Sequence, residues 1–207
     1  MLTAEMLRRI MRNISDVMVR EKDYLIALDQ RNGDGDLGIS MASGFAAAST
    51  YLDQSDETDL GKLMLGASKA FNEGAPSSLG TILAFMMMGM ARVFKGHEEA
   101  DAGLAADAFA AGVAKIMERA NSKPGEKTIL DALDPAVKAL SAHARDGAAA
   151  AFLAAAKSAK EGSDSTAGMK AVHGRAAYYG DKSLGIVDGG SVVGYLIFNA
   201  IMASIDS

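Results

Sequence analysis

MLTAEMLRRIMRNISDVMVR, residues 1–20, is the stretch from which the fold is read. Met6, Leu7, Ile10, Met11, Ile14, Val17 and Met18 recur at helical spacing, with Arg8, Arg9, Arg12 and Asn13 opposite them. That pattern is an amphipathic helix with one face on a core. Thr3 stands where an N-cap belongs. The arginines lie inside the apolar pattern instead of before an unbroken apolar run, so the stretch does not read as a secretory leader.

Working outward, the same period covers about 37 to 53, 59 to 72, 78 to 95, 101 to 120, 128 to 144, 147 to 161 and 191 to 205, with a shorter helical piece near 22 to 28. No segment alternates with the period of two that a half-buried strand requires. Long helices joined by short loops predict an all-α, single-domain barrel or bundle of about eight helices over residues 1–207. A domain of this size can bury roughly 70% of its unfolded surface. The alanine run DGAAAAFLAAAKSAK reads as a close-packed helix, and the 13 methionines read as core filler.

The charge balance narrows the function. Lys and Arg number 21 against 26 Asp and Glu, a net charge of −5, which leaves no basic footprint for nucleic acid. The absence of cysteine excludes disulfides and thiolate metal sites and suits a reducing cytoplasm. LGTILAFMMMGMA is shorter than the ~20 residues of a membrane span, and LGIVDGGSVVGYLIFNAIMA carries Asp188 and three early glycines. A soluble, cytoplasmic protein with no membrane partner is expected.

Glycine and hydroxyl residues gather in four breaks: NGDGDLG (32–38), EGAPSSLGT (73–81), NSKPGEKT (121–128) and HGRAAYYGDKSLGIVDGGS (173–191). Loops on a helical scaffold are where binding groups sit. Asp29, Asp34 and Asp36 offer three hard oxygen donors within eight positions, a set suited to Mg²⁺. The competing reading is a solvated turn whose Asp36 caps the next helix. An EF-hand calcium loop fails, because its glycine and bidentate glutamate positions fall on Leu37 and Ser43.

In the second break, Ser77, Ser78 and Thr81 precede an apolar helix whose free N–H groups favour an anion. Simple N-capping explains the same residues equally well. In the fourth break, Arg175 could lie along a diphosphate or form a surface ion pair with Asp181. Lys123 and Lys127 read as solvated. His97 and His143 read as exposed helix-end residues, and no histidine, including His173, has a partner at metal-ligand spacing. An acid cluster, a phosphate-binding helix start and a cationic loop are together the components of a Mg-nucleotide site.

YLIALDQRNGDGDLGISM (24–41), KPGEKTILDAL (123–133) and GRAAYYGDKSLGIVDGG (174–190) resemble, in the same order, the motifs of the nucleotide-binding L subunit of dihydroxyacetone kinase, the Dak2 domain. The resemblance runs over essentially the whole chain. It implies an eight-helix barrel with the nucleotide, ADP or ATP, at one end, linked through two Mg²⁺ ions to Asp29, Asp34 and Asp36. By position, Leu37, Gly38, Ile39 and Ser40 approach the phosphates. Ala75, Ser77, Ser78 and Thr81 belong to the phosphate loop, Ala120 stands at a further nucleotide-binding position, Ile129 packs against the adenine, and Arg175 with Asp188, Gly189 and Gly190 completes the pocket.

The family's L subunit docks on a separate K subunit that binds a short-chain keto-sugar. In one branch it retains ADP and is recharged by a phosphotransferase-system protein. No catalytic nucleophile or base is expected from this chain. A nucleotide-responsive regulator on the same fold is the alternative. The chain departs from the family's pattern at Leu37, where His is common, in a phosphate loop one residue shorter, at Ala120, and at Ile186 and Gly189 in place of His and Pro.

Overall fold

The computed structural model describes residues 1–205; the last two positions of the expected 1–207 unit lie outside the described residues. Among the described residues, nine α-helices run α1 (Ala4–Arg20), α2 (Lys22–Asp29), α3 (Leu37–Gln54), α4 (Leu60–Gly74), α5 (Ser78–Phe94), α6 (Ala102–Ala120), α7 (Leu130–His143), α8 (Ala148–Ser165) and α9 (Gly189–Ile205). α2 is the short piece. The eight long helices pack in chain order, α1 on α3, then each on the next, and α9 packs back on α1 to close a barrel.

Neighbours run antiparallel. Gly61 at the start of α4 lies against Ala91 and Lys95 at the end of α5, and Gly162 near the end of α8 lies against Asp131 and Pro135 of α7. Because the direction alternates around the ring, all four glycine-rich breaks fall at the same end. The far end holds the short connections and a two-stranded ribbon, β1 (Leu2–Thr3) with β2 (Glu99–Ala100). Strands this short carry no readable alternation, which is why the sequence did not predict them.

Local chemistry explains the helix ends. Thr3 Oγ1 accepts Met6 N–H, the cap expected of it. Arg8, on the polar face of α1, reaches across to the carbonyls of Leu52, Ser55 and Glu57 and satisfies the end of α3. α7 starts two residues later than the pattern predicts, because Asp131 folds back to accept Thr128 N–H and Gly125 N–H and holds 125–128 as a loop. α9 starts two residues earlier: Asp188 accepts Ser191 N–H at 2.7 Å, so Gly189 and Gly190 belong to the helix.

The core is one contiguous cluster reaching every helix. Phe45 and Phe71 meet edge-on at 4.8 Å between ring centroids, and Phe109 and Phe198 pack at 5.1 Å. Burying each such side chain contributes about 1.5–3 kcal/mol. Met11, Met18, Met41, Met64, Met86, Met87 and Met90 are buried, as core filler should be, and Ala151, Ala155 and Ala159 let α8 press closely on α7. A cavity of about 470 Å³ inside the barrel is lined by Met6, Met86, Met90 and Phe109 and reaches the far end near Asp101 and Arg145. Among the described residues, no helix is long and apolar enough to cross a membrane.

Candidate functional site

α2 ends at Asp29 because the chain must turn there, and the turn is built around that carboxylate. Asp29 Oδ2 accepts Gly35 N–H at 2.7 Å. Gly35 is left-handed at φ +79°, a conformation glycine adopts without steric cost. At Gly33 a Cβ would lie 2.2 Å from Asp29 Oδ1, so the carboxylate could not fold against a larger residue. Asp34 and Asp36 are thereby carried back onto Asp29. One oxygen from each of the three lies within 4.8 Å of the others.

The crowding has an electrostatic cost. Partial burial, then the negative charges of Asp34 and Asp29, hold the Asp36 carboxyl above the ordinary aspartate range, and Arg175 offsets this only in part. Asp36 stands at the N-cap position of α3, yet its side chain accepts no N–H from that helix. The capping role weighed from sequence is thus not the one it performs. Three converging carboxylates, with one cation, Arg175, beside them, fit a hard divalent cation such as Mg²⁺.

Three helix starts converge beside this cluster. Leu37 opens α3, and a Cβ on Gly189 at the start of α9 would meet Leu37 Cδ2 at 2.6 Å. Gly190 lies against the Ile129 backbone just before α7. In α3, Gly38 and Ser40 are buried and Ile39 is half exposed. Ile129, expected against adenine, is 3% exposed and packs beneath Gly190 and Gly194.

The second break realises its N-cap reading: Ser77 Oγ accepts Gly80 N–H at 3.1 Å, and Thr81 Oγ1 donates to Ser77 O. Ser78 and Thr81 stay exposed in the first turn of α5, while Ala75 is buried against Gly44 of α3. Ala120 ends α6, followed by Asn121 in the left-handed region.

The long fourth break differs most from expectation. It contains a 3₁₀ segment at Arg175–Ser183, and a further 3₁₀ turn, Thr166–Gly168, precedes it at the end of α8. Arg175 pairs with Asp34 at 2.8 Å, not with Asp181, whose partner is Lys170. The fourth break is therefore tied to the acid cluster. Tyr178 and Tyr179, which sequence reasoning passed over, border a shallow depression with Gly33 and Arg175.

The reading of Lys127 as solvated is overturned. The residue is 2% exposed, left-handed at φ +61°, and donates to the carbonyls of Thr166 and Ile186. Burial lowers its pKa, which Asp188 and Asp131 partly restore. Burial likewise pushes the Asp188 carboxyl up to about 7; Ser191 N–H and Lys127 pull it down, and Asp131 and Asp29 push it further up. His173, without a carboxylate near it in sequence, pairs across 47 positions with Glu126 at 2.6 Å. His97 and His143 are exposed as expected, and His143 pairs with Asp146.

A closed ring of antiparallel helices with three converging carboxylates in the loops at one end defines an all-α barrel. The chain belongs to the Dak2 family, matching the DAK2 domain over residues 32–203. It is 29% identical over 94% of its length to a Listeria innocua protein named as the ADP-binding subunit DhaL of a PEP-dependent dihydroxyacetone kinase, covering 93% of that protein. It is 30% identical over 93% of its length to the L-erythrulose kinase of Pectobacterium atrosepticum, of which it spans only 33%. The dihydroxyacetone kinase of C. freundii, solved in complex with AMP-PNP and Mg²⁺, superposes over 95% of this chain and 33% of its own with a TM-score of 0.76 at 22% identity, a likeness of fold.

Proposed function

We propose that the chain is the Mg-nucleotide-binding subunit of a dihydroxyacetone-type kinase. It acts as one domain in the cytoplasm and passes a phosphoryl group to a short-chain keto-sugar held on a separate K subunit. The convergence of Asp29, Asp34 and Asp36 on one point carries the reading. The names of the relatives, kinases and kinase subunits, agree with it.

Asp29, Asp34 and Asp36 would hold one or two Mg²⁺ ions, which when bound neutralise charge on the phosphates during transfer. Arg175, already beside Asp34, offers a planar fork to phosphate oxygens. The first turns of α3 and α5, with the Ser78 hydroxyl, would offer N–H and O–H donors to the phosphates. Ala75 and Ala120 shape the wall, and Asp188 to Gly190 close it. The acceptor hydroxyl and its base belong to the partner, so this chain binds, orients and neutralises.

The test is calorimetric titration with ADP and with ATP, each with and without Mg²⁺, on the wild type and the Asp34→Asn, Asp36→Asn double variant. Mg-dependent ADP binding that the variant loses supports the reading, and tight retention points to ADP as a resident cofactor. Preference for ATP supports direct consumption. Binding of neither nucleotide would sink it.

A further inference from the structure

Residues 166 to 188 leave the end of α8, carry Arg175 across the top of the barrel and return to cap α9. An excursion this long needs its two ends fastened together, since closing a loop costs entropy that local contacts must offset. The fastening comes from a third element. The ammonium of Lys127 donates to the carbonyl of Thr166 at the outgoing end and to that of Ile186 at the returning end.

The contact continues into Asp188. Thr166 Oγ1 accepts Asp188 N–H at 2.9 Å, and the Ser191 hydroxyl donates to the Asp188 carbonyl at 2.8 Å and meets Ser163 Oγ at 3.0 Å. Asp188 in turn lies close enough to Asp29 for their charges to interact. Lys127 also directly precedes Thr128 and Ile129, whose backbone abuts Gly190. One buried cation therefore joins the start of α7, the end of α8 and the start of α9.

Two features mark the position as more than filler. The side chain is 2% exposed, although a lysine needs strong compensation to be buried. Its backbone is left-handed, a conformation that bulky residues adopt only where the surroundings impose it. Both costs go into fastening a loop that touches the acid cluster through the Arg175 to Asp34 pair.

We propose that Lys127 is a positioning residue of the nucleotide site: by clamping the Thr166 and Ile186 carbonyls it holds Arg175 and Asp188 in register with the acid cluster without itself touching the ligand. The proposal rests on the nucleotide reading above.

Three measurements on the wild type, Lys127→Met and Lys127→Gln test it: trypsin cleavage within 166–188, where Lys170, Arg175 and Lys182 are exposed; Mn²⁺ binding alone; and Mg-ADP binding. In Lys127→Met, with helical circular dichroism retained, cleavage in the segment should rise and Mg-ADP affinity fall, each by about tenfold or more, the loss expected for a buried charged hydrogen bond. Mn²⁺ affinity should stay within about twofold, because the Asp29 to Gly35 turn is built separately; a merely destabilised fold would lose both ligands.

Lys127→Gln keeps N–H donors on a shorter stem and should fall between the two, and it serves as the test protein if Lys127→Met does not fold. Unchanged cleavage, or faster cleavage with unchanged Mg-ADP affinity, overturns the proposal. If the wild type binds Mn²⁺ but no nucleotide, the nucleotide reading fails and the positioning claim with it, while the cleavage rates still decide whether Lys127 is the clamp.

Discussion

Asp59 and Asp188 both open helices, at opposite ends of the barrel, and their carboxyl groups are driven in opposite directions. Burial pushes Asp59 up, yet the N–H groups of Lys62, Gly96 and Gly61, at 2.8–3.0 Å, pull it below the usual aspartate range. Asp188 is pushed up to about 7 by burial, and Asp36 is raised by burial and by Asp34 and Asp29. At the far end a carboxylate is consumed by the fold. At the loop end burial disfavours ionisation of both carboxyls, and at Asp36 the neighbouring Asp34 and Asp29 add a repulsion that a bound cation would relieve.

The sharpest way to break that comparison is the Asp34→Asn, Asp36→Asn double variant. It should lose Mg-ADP affinity by about 100-fold or more, since two of three ligands are gone. In EDTA its thermal midpoint should equal or exceed the wild type's, because like-charge repulsion has been removed. A lower midpoint in EDTA would mean these carboxylates serve the fold, as Asp59 does.

Asp188 allows the same question to be asked with pH. Its folded pKa lies above the unfolded value of about 3.9, so the native state holds a proton that the unfolded chain releases. The associated stability is complete below about pH 4 and is lost as pH rises through about 7. Asp188→Asn keeps an acceptor for Ser191 N–H and removes this loss. In EDTA at pH 8 it should be more stable than the wild type by about 1–2 kcal/mol, a figure discounted for partial solvent access, with the gain shrinking toward pH 4. Denaturant melts at four pH values would check it, and a pH-independent gain would refute the titration.

Much of this architecture was legible because it depends on local period. The Met6 to Met18 stripe, the Thr3 cap and the seven later helical stretches needed only spacing, which left bundle and barrel open; closure of the ring was what the family resemblance implied. The acid cluster was legible for the same reason, since Asp29, Asp34 and Asp36 lie within one turn. Lys127 was misread because its burial depends on the carbonyls of Thr166 and Ile186, 39 and 59 positions away. Arg175 was offered the nearer Asp181 and took Asp34 instead, and His173 found Glu126. Pairings made by tertiary closure leave no periodic trace. The left-handed backbone at Lys127 lies in a GEKT turn that composition marks as an ordinary loop.

Gly35 tests whether the turn itself is the device. Gly35→Ala forces a Cβ into a left-handed conformation and toward Gln30 Cγ, 2.8 Å away, at a cost of about 1–2 kcal/mol. Because Gly35 N–H holds Asp29, Mn²⁺ affinity should fall by about tenfold while the distant Asp59 cap stays intact. Loss of stability with full metal affinity would detach the turn from the site.

The smallest effect should come from the far end, and it is what gives the other three their meaning. Asp59→Ala removes a cap and the tie to Gly96, so it should cost about 1 kcal/mol and lower the thermal midpoint by about 2–4 °C. Asp59→Asn should recover part of this. The sign with pH is the reverse of that at Asp188: the folded pKa of Asp59 is lowered, so its contribution is present above the unfolded pKa of about 3.9 and is lost as pH falls through the folded value. The deficit of the alanine variant should therefore be constant from pH 8 to 5 and close only in acid. Mg-ADP affinity should not move, since the alternating helix directions put Asp59 at the opposite end of the barrel from Asp29. If it did move, the two ends would be coupled through the helices and the division between a spent end and a charged one would fail.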